Sequence, residues 1–145
     1  MPLIRPARPD DIPAIFEIRT SVRENHLSRA ELAELGITPD SLRAILEASP
    51  CLWVAESDGA VAGFSMIDAA DACLFAAFVH PRAEGRGLGR LLVAAAEEAL
   101  FSTHDSAWLE TAAASRAAGF YRRLGWAQSG PVSVDGDIRM EKRRP

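Results

Sequence analysis

The sequence predicts a mixed α/β fold: a central, mostly antiparallel sheet of six or seven strands, flanked by about four helices on both faces. Three observations predict it. Two β-like runs, Cys51 to Glu56 and Ala60 to Ile67, meet across Asp58-Gly59, a strong hairpin signal. A third run, Cys73 to Val79, passes through a glycine-rich turn into an alanine-rich helix and then another strand, the pattern of a crossover connection. Helical segments lie on both sides of this block, so both faces of the sheet need covering.

Leu3 to Arg5 reads as a short first strand, broken by Pro6 and Pro9. Asp10 is positioned to cap a helix that tolerates Pro13 in its first turn and carries Ile12, Ile15, Phe16, Arg19 and Val22 at helical spacing. Ser28 with Glu31 makes a capping box for a short helix ending at Gly36. Thr38-Pro39 starts another, with Leu42, Ile45 and Leu46 on one face. Pro50 ends the helical part and the hairpin follows. After Cys73 to Val79 come a helix from about Leu88 to Phe101, a strand from Ala107 to Thr111 and a helix from Arg116 to Leu124 stopped by Gly125. Trp126 to Ser129 and Ile138 to Glu141 close the chain as two strands around Asp135-Gly136.

The 145 residues suit one domain, residues 1–145, with a real core. Apolar residues at 48% and charged residues at 25% are ordinary for a water-soluble protein. A net charge of −4 disfavours nucleic acid as the main partner, and Lys142-Arg143-Arg144 reads as a solvated strand end. The N-terminus, Met1-Pro2-Leu3-Ile4-Arg5, carries no signal-peptide pattern, and no apolar run reaches the ~18 residues that span a bilayer. Cys51 and Cys73 form no C-x-x-C pair and read as buried reduced thiols of a cytoplasmic protein. His26, His80 and His104 are too scattered for metal-ligand spacing, so no metal is expected.

The segment with the most chemistry runs from Val79 to Leu92. Counted from Gly85, the dinucleotide pattern G-x-G-x-x-G would need glycine at Arg90; counted from Gly87, it would need one at Leu92. The Gly-Lys-Ser/Thr of a nucleotide-triphosphate loop is missing as well. What remains is Gly85-x-Gly87-x-Gly89 with Arg86 and Arg90 beside it, suited to a pyrophosphate on a helix N-terminus. The plain alternative is a tight strand-to-helix corner with no ligand.

The stretch from Cys73 to Leu100 resembles the acetyl-CoA-binding motif of the GNAT superfamily of N-acetyltransferases: a strand ending in Val79-His80-Pro81, then Glu84-Gly85-Arg86-Gly87-Leu88-Gly89 opening a helix. Downstream, Ser115 to Trp126 resembles the family's Ala-x-x-Phe-Tyr-x-x-x-Gly-Phe helix, with Phe120-Tyr121 and Gly125-Trp126 at its key positions. Both motifs occur in the family's order and spacing, and the element order extends the resemblance over essentially the whole chain. Two positions depart from it. Glu84 stands where members carry Gln or Arg, and Ala114 stands where many carry Asn.

The resemblance implies a sheet splayed at the cofactor site, acetyl-CoA as cofactor, and direct acetyl transfer to a primary amine of a small molecule or peptide in a ternary complex. It places the cofactor along Phe78, Val79 and His80, over Glu84, Gly85, Arg86, Gly87, Leu88, Gly89 and Arg90, and beside Ser115, Ala118 and Tyr121, with Ser115 partly replacing the missing Asn. It also suggests a homodimer through exposed last strands.

The chemistry has three demands: a deprotonated amine, donors for the developing oxyanion, and help for the leaving thiolate. Tyr121, the only tyrosine, is the candidate donor to sulfur; its plain alternative is a core aromatic. A backbone N–H around Phe78 to His80 is the candidate oxyanion donor, in a form of β-augmentation. Glu110 is the candidate base, or else an ion-paired strand-end residue, and His80 is either a proton relay or a loop histidine. Arg19, Arg23 and His26, in a region that also holds Glu24, Asn25 and Leu27, would suit an anionic group on the acceptor; Asp68 would instead suit a cationic amine. Two other classes compete. A catalytically silent acyl-CoA-binding or regulatory module would share the fold, and a toxin-like acetyltransferase of aminoacyl-tRNA would need a basic face that the acidic balance disfavours.

Overall fold

The computed structural model describes residues 2–23 and 26–145. Strand β1 (Leu3–Pro6) pairs antiparallel with β2 (Leu52–Ser57), and a single 3-10 turn, Pro9–Asp11, leads into α1 (Ile12–Ser21). The cap falls one residue later than Asp10. Asp10 is exposed, whereas Asp11 is buried and accepts from the Arg8 N–H at 2.7 Å. Its two oxygens also receive Arg5 Nη1 and Nη2 at 2.8 and 2.9 Å. The Arg5 Nε donates to Glu56 at 2.7 Å, so one guanidinium ties the start of α1 to β2. A fork between planar guanidinium and carboxylate satisfies both groups, which a lone cap does not need. Helix α1 buries Ile12, Ile15, Phe16 and Ile18.

Helices α2 (Arg29–Glu34) and α3 (Pro39–Ala48) begin at reciprocal capping boxes. Ser28 and Glu31 exchange bonds of 3.1 Å each, and Thr38 and Ser41 close a second box. Of the three apolar residues on α3, Leu42 is buried while Ile45 is left exposed.

The β2–β3 hairpin, with β3 at Ala60–Asp68, turns at Asp58 and Gly59, both with positive φ as the tight hairpin turn requires. Strand β4 (Cys73–Val79) pairs antiparallel with β3. Met66 faces Ala76 and Ile67 faces Leu74, so Phe75 is an extra, unopposed residue: a β-bulge. Helix α4 (Leu88–Phe101) then crosses to β5 (Ser106–Ala112), which runs parallel to β4 but pairs with it only at Cys73 and Trp108. Next come α5 (Arg116–Arg123), the two-residue β6 (Ala127–Gln128) and β7 (Asp137–Arg143). β7 inserts between β5 and β6, giving a seven-stranded order β1-β2-β3-β4-β5-β7-β6. The final strand β7 is therefore interior, and on this side of the sheet the edge available to a second copy is β6.

Adjacent strand residues point to opposite faces. Phe78 lies under Arg19 of α1, while the Val79 methyl packs near Gly89 of α4. Hence α1 covers one face and α4 the other. There are five α-helices among the described residues rather than about four.

The basic C-terminus is not simply solvated. Lys142 is partly buried and donates to Glu97 Oε1 and the Leu124 carbonyl at 2.7 Å each, while Trp126 Nε1 donates to Glu97 Oε2 at 3.1 Å. Arg144 reaches the Phe101 carbonyl and pairs with Asp105 at 3.1 Å. The tail is thus tied to the C-terminal half of α4. Cys51 and Cys73 are free and buried, and burial pushes the Cys73 thiol up to about 11. No helix among the described residues is long and apolar enough to cross a membrane.

Candidate functional site

The site begins at the bulge. Before Phe75, β4 is in register with β5; after it, the bulged strand bends and the two part. The His80 N–H donates to the Ala62 carbonyl at 2.8 Å, so His80 turns its polar groups toward β3. Backbone direction alternates along a paired strand. Phe78 and Ala76 therefore also face β3, while Val79 and Ala77 present their N–H groups to the gap. This corrects the expectation for Phe78 and His80, whose amides serve the sheet.

Beyond Val79 the chain is held by local bonds. The His80 ring accepts the Arg82 N–H at Nδ1 (3.2 Å), capping a 3-10 turn at Pro81–Ala83, and the buried Ala83 anchors it. Gly85 and Gly87 follow with φ of +78° and +80°, and at both an added Cβ would meet nothing within 4 Å. Their need for glycine is conformational, and the space above them is open. Gly87 caps α4 without a side chain, which leaves the first-turn N–H groups to outside acceptors. Gly89 is glycine for another reason: its Cβ would stand 3.3 Å from the Phe120 ring, where α5 packs on the first turn of α4.

The charged side chains here are placed differently than spacing alone implies. Arg86 turns to the hairpin, bonding Asp58 at 2.9 Å and Ser57 at 3.3 Å. Glu84 lies 3.5 Å from Arg116, the first residue of α5, so the acid that fits the motif least has a cationic neighbour. Arg90 is exposed on the helix. The Leu88 side chain is buried with Ala55, Ala62, Ala83 and Leu92, leaving only its backbone for a ligand. Ser115 caps α5: its hydroxyl accepts the Ala118 N–H at 3.2 Å and donates to the Ala112 carbonyl at 2.7 Å. Both Ser115 and the Ala118 amide are thus already engaged in holding α5 to the end of β5.

Tyr121 packs edge-on against Phe120 and Trp126, with ring centroids 5.2 and 6.2 Å away. Burial pushes its hydroxyl up to about 12, so it is protonated at any physiological pH. Glu110 is exposed on β5, two residues beyond the Cys73–Trp108 pair and therefore beside the gap, opposite Arg139 of β7. With Nδ1 occupied, neutral His80 carries its proton on Nε2, which lies 3.7 Å from Glu17. That tautomer has no spare lone pair, and the loop-histidine alternative fits it better than a relay.

The expected acceptor residues each have a local setting. The Arg19 guanidinium stacks 4.4 Å above Phe78, and burial lowers its pKa. Arg23 is exposed, and the His26 ring bonds the Thr20 carbonyl at 3.0 Å. Glu24 and Asn25 lie outside the described residues. Asp68 accepts the Asp71 N–H at 3.3 Å within the β3–β4 turn, at the opposite end of β4 from the glycine loop, about 20 Å away. That bond gives Asp68 a structural task in the turn, two residues beyond Met66 of β3. Sequence reasoning missed Arg116, visible only as the residue after a helix cap, and Phe75, whose bulge has no local signature.

Residues 48–128, more than half of the chain, match the family model described as "Acetyltransferase (GNAT) domain". The chain belongs to the GNAT acetyltransferase family. A search of curated protein sequences returned no match. Among solved structures, this GNAT chain is similar to the PaiA N-acetyltransferase of Thermoplasma acidophilum in complex with coenzyme A, at 15% identity and a TM-score of 0.78 over 99% of both chains. It is also similar to a ribosomal-protein-alanine N-acetyltransferase of Brucella melitensis, at 23% identity and a TM-score of 0.76, over 98% of this chain and 99% of that one. YncA of Salmonella typhimurium, solved with its cofactor acetyl-CoA, matches at 22% identity and a TM-score of 0.72, over 99% and 94% of the two chains. These likenesses establish the GNAT fold, with its sheet opened between β4 and β5.

Proposed function

We propose that this protein moves an acetyl group from acetyl-CoA to a primary amine by direct transfer in a ternary complex. The carrying observation is the coincidence of three features at one point: the β4–β5 gap, the uncapped N-terminus of α4 and the open positive-φ glycines Gly85 and Gly87. The coenzyme would supply an activated acyl thioester. Backbone amides from Gly85 to Arg90 would hold its pyrophosphate, with Arg116 adding positive charge once released from Glu84. The N–H groups of Ala77 and Val79 would pair with the pantetheine arm as an added strand and serve the developing oxyanion. Tyr121 would donate to the leaving sulfur, and Glu110 would take the amine proton, directly or through water. The free, buried thiols fit a cytoplasmic setting.

Acetyl-CoA should raise the melting temperature, and a panel of amines should then release free coenzyme A. Stabilisation with no release from any amine would instead indicate a silent acyl-CoA-binding module. Gly87→Val tests the glycine loop. A β-branched residue at a φ of +80° is strained and fills the open space above the loop. Calorimetric affinity for acetyl-CoA should fall about ten-fold or more; affinity within two-fold of wild type would remove this loop from the binding site.

A further inference from the structure

The bulge has a second effect on the face covered by α1. Because two consecutive residues oppose Met66, Phe75 and Ala76 both turn toward that face. Both line a cavity of about 60 Å³, together with Ile15, Phe16, Leu32 and Phe64 among others. Among the lining residues Arg19 alone is charged, and its guanidinium is held over Phe78 at the next α1-facing position of β4. One wall is Ala76, and the following residue, Ala77, presents its N–H to the β4–β5 gap. Cavity and gap thus share a strand.

We propose that this cavity receives the apolar side chain of the acceptor, so that the substrate is an α-amino group next to an aliphatic or aromatic side chain. The inference rests on the acetyl-transfer reading above. The side chain enters between Phe16, Phe64 and Phe75, a carbonyl or carboxylate oxygen of the acceptor meets Arg19, and the amine is left toward the gap. Polar side chains are disfavoured because their donors and acceptors would face hydrocarbon walls without partners. Each methylene buried in the cavity should improve selection by about four-fold. The 58% exposure of Phe75, unusual for a phenylalanine on an interior strand, fits a wall that an incoming side chain completes.

The shared chemistry has two sources, a free amino acid or a peptide N-terminus, and the test separates them. Coenzyme A release would be followed with leucinamide, phenylalaninamide, serinamide and lysinamide, then with leucine and with a peptide beginning in leucine. Leucinamide should exceed serinamide by about ten-fold or more in kcat/KM, mainly through KM. A further advantage for leucine over the peptide would support the small-molecule form of the proposal, and the reverse the chain-terminus form. Ala76→Leu, which fills the cavity, should shrink the leucinamide-to-serinamide ratio toward unity. Phe75→Ala, at an exposed position, should shrink it too without threatening the fold. Equal rates for leucinamide and serinamide, or a ratio unmoved by both variants, would overturn the assignment. Absence of release from every amine, with acetyl-CoA still stabilising the protein, would overturn the acetyl-transfer reading and the proposal with it.

Discussion

Tyr121→Phe should lower kcat by at least about ten-fold while leaving acetyl-CoA affinity within about two-fold of wild type. The ring contacts with Phe120 and Trp126 are edge-on and need no hydroxyl, so the melting temperature should hardly move. The direction of the pKa shift refines the role. With burial raising the phenol to about 12, full proton transfer to a thiolate of ordinary pKa, about 8.5, is uphill. On the proposed mechanism Tyr121 would therefore donate a hydrogen bond to the sulfur as it leaves without giving up its proton, and the proton lost by the amine would complete the balance. Because the folded-state pKa is raised, the hydroxyl stays protonated through the whole working range. The kcat/KM profile of the wild type should rise as the amine loses its proton and show no falling limb up to about pH 10. A falling limb near pH 8 to 9 that Tyr121→Phe abolishes would mean that the phenol titrates there, against this account. Unchanged turnover in the variant would remove Tyr121 from the mechanism.

Arg5→Met should destabilise the protein by about 2–4 kcal/mol, read from denaturant unfolding. The variant keeps the hydrocarbon stem but leaves Asp11, 5% exposed, without its two-bonded partner, and Glu56 without its 2.7 Å contact. The cost is that of an uncompensated buried carboxylate rather than of a surface ion pair. Burial by itself would raise the Asp11 pKa; the Arg5 fork and the Arg8 N–H overcome it and hold the carboxylate below its ordinary 3.8. A depressed folded-state pKa gives stability that is present above pH 3.8 and lost as pH falls through the lower folded value. Wild type should therefore lose stability more steeply below about pH 4 than Arg5→Met. Parallel acid limbs in the two proteins, or a loss under 0.5 kcal/mol, would show that the fork contributes little. Arg5→Met combined with Asp11→Leu should recover part of the loss, since an apolar pair leaves no buried charge.

Much of the architecture was legible because it is written locally. Ser28 with Glu31, Thr38-Pro39 and Asp58-Gly59 act over three or four residues, and each ends or starts an element where the pattern says it should. Cys73 to Val79 and Leu88 to Phe101 match their observed bounds for the same reason. Asp10 misled because capping rules score side-chain type, and Asp11 is distinguished by the Arg8 N–H and by an arginine from the neighbouring strand. Lys142 misled because a basic run at a chain end looks solvated until α4 brings Glu97 beside it. At the site, the glycine loop could be read from spacing, and Tyr121 from its motif. Ser115 and Ala118 could be placed but not seen to satisfy each other, and Asp68 could not be seen to accept the Asp71 N–H in its turn.

By itself the sequence determined the elements, their order, the family they resemble and the glycine turn at the start of α4, since these follow from short-range periodicity, capping and backbone conformation. The tertiary structure alone decided where the sheet opens and what lies beside the opening. Whether β4 keeps or loses register with β5 depends on one unopposed residue, Phe75, judged against β3 some nine positions earlier. The cavity under α1, the Glu84–Arg116 contact and the Arg5 fork likewise join residues from separate elements. Such contacts depend on packing and register between segments, which no local pattern encodes.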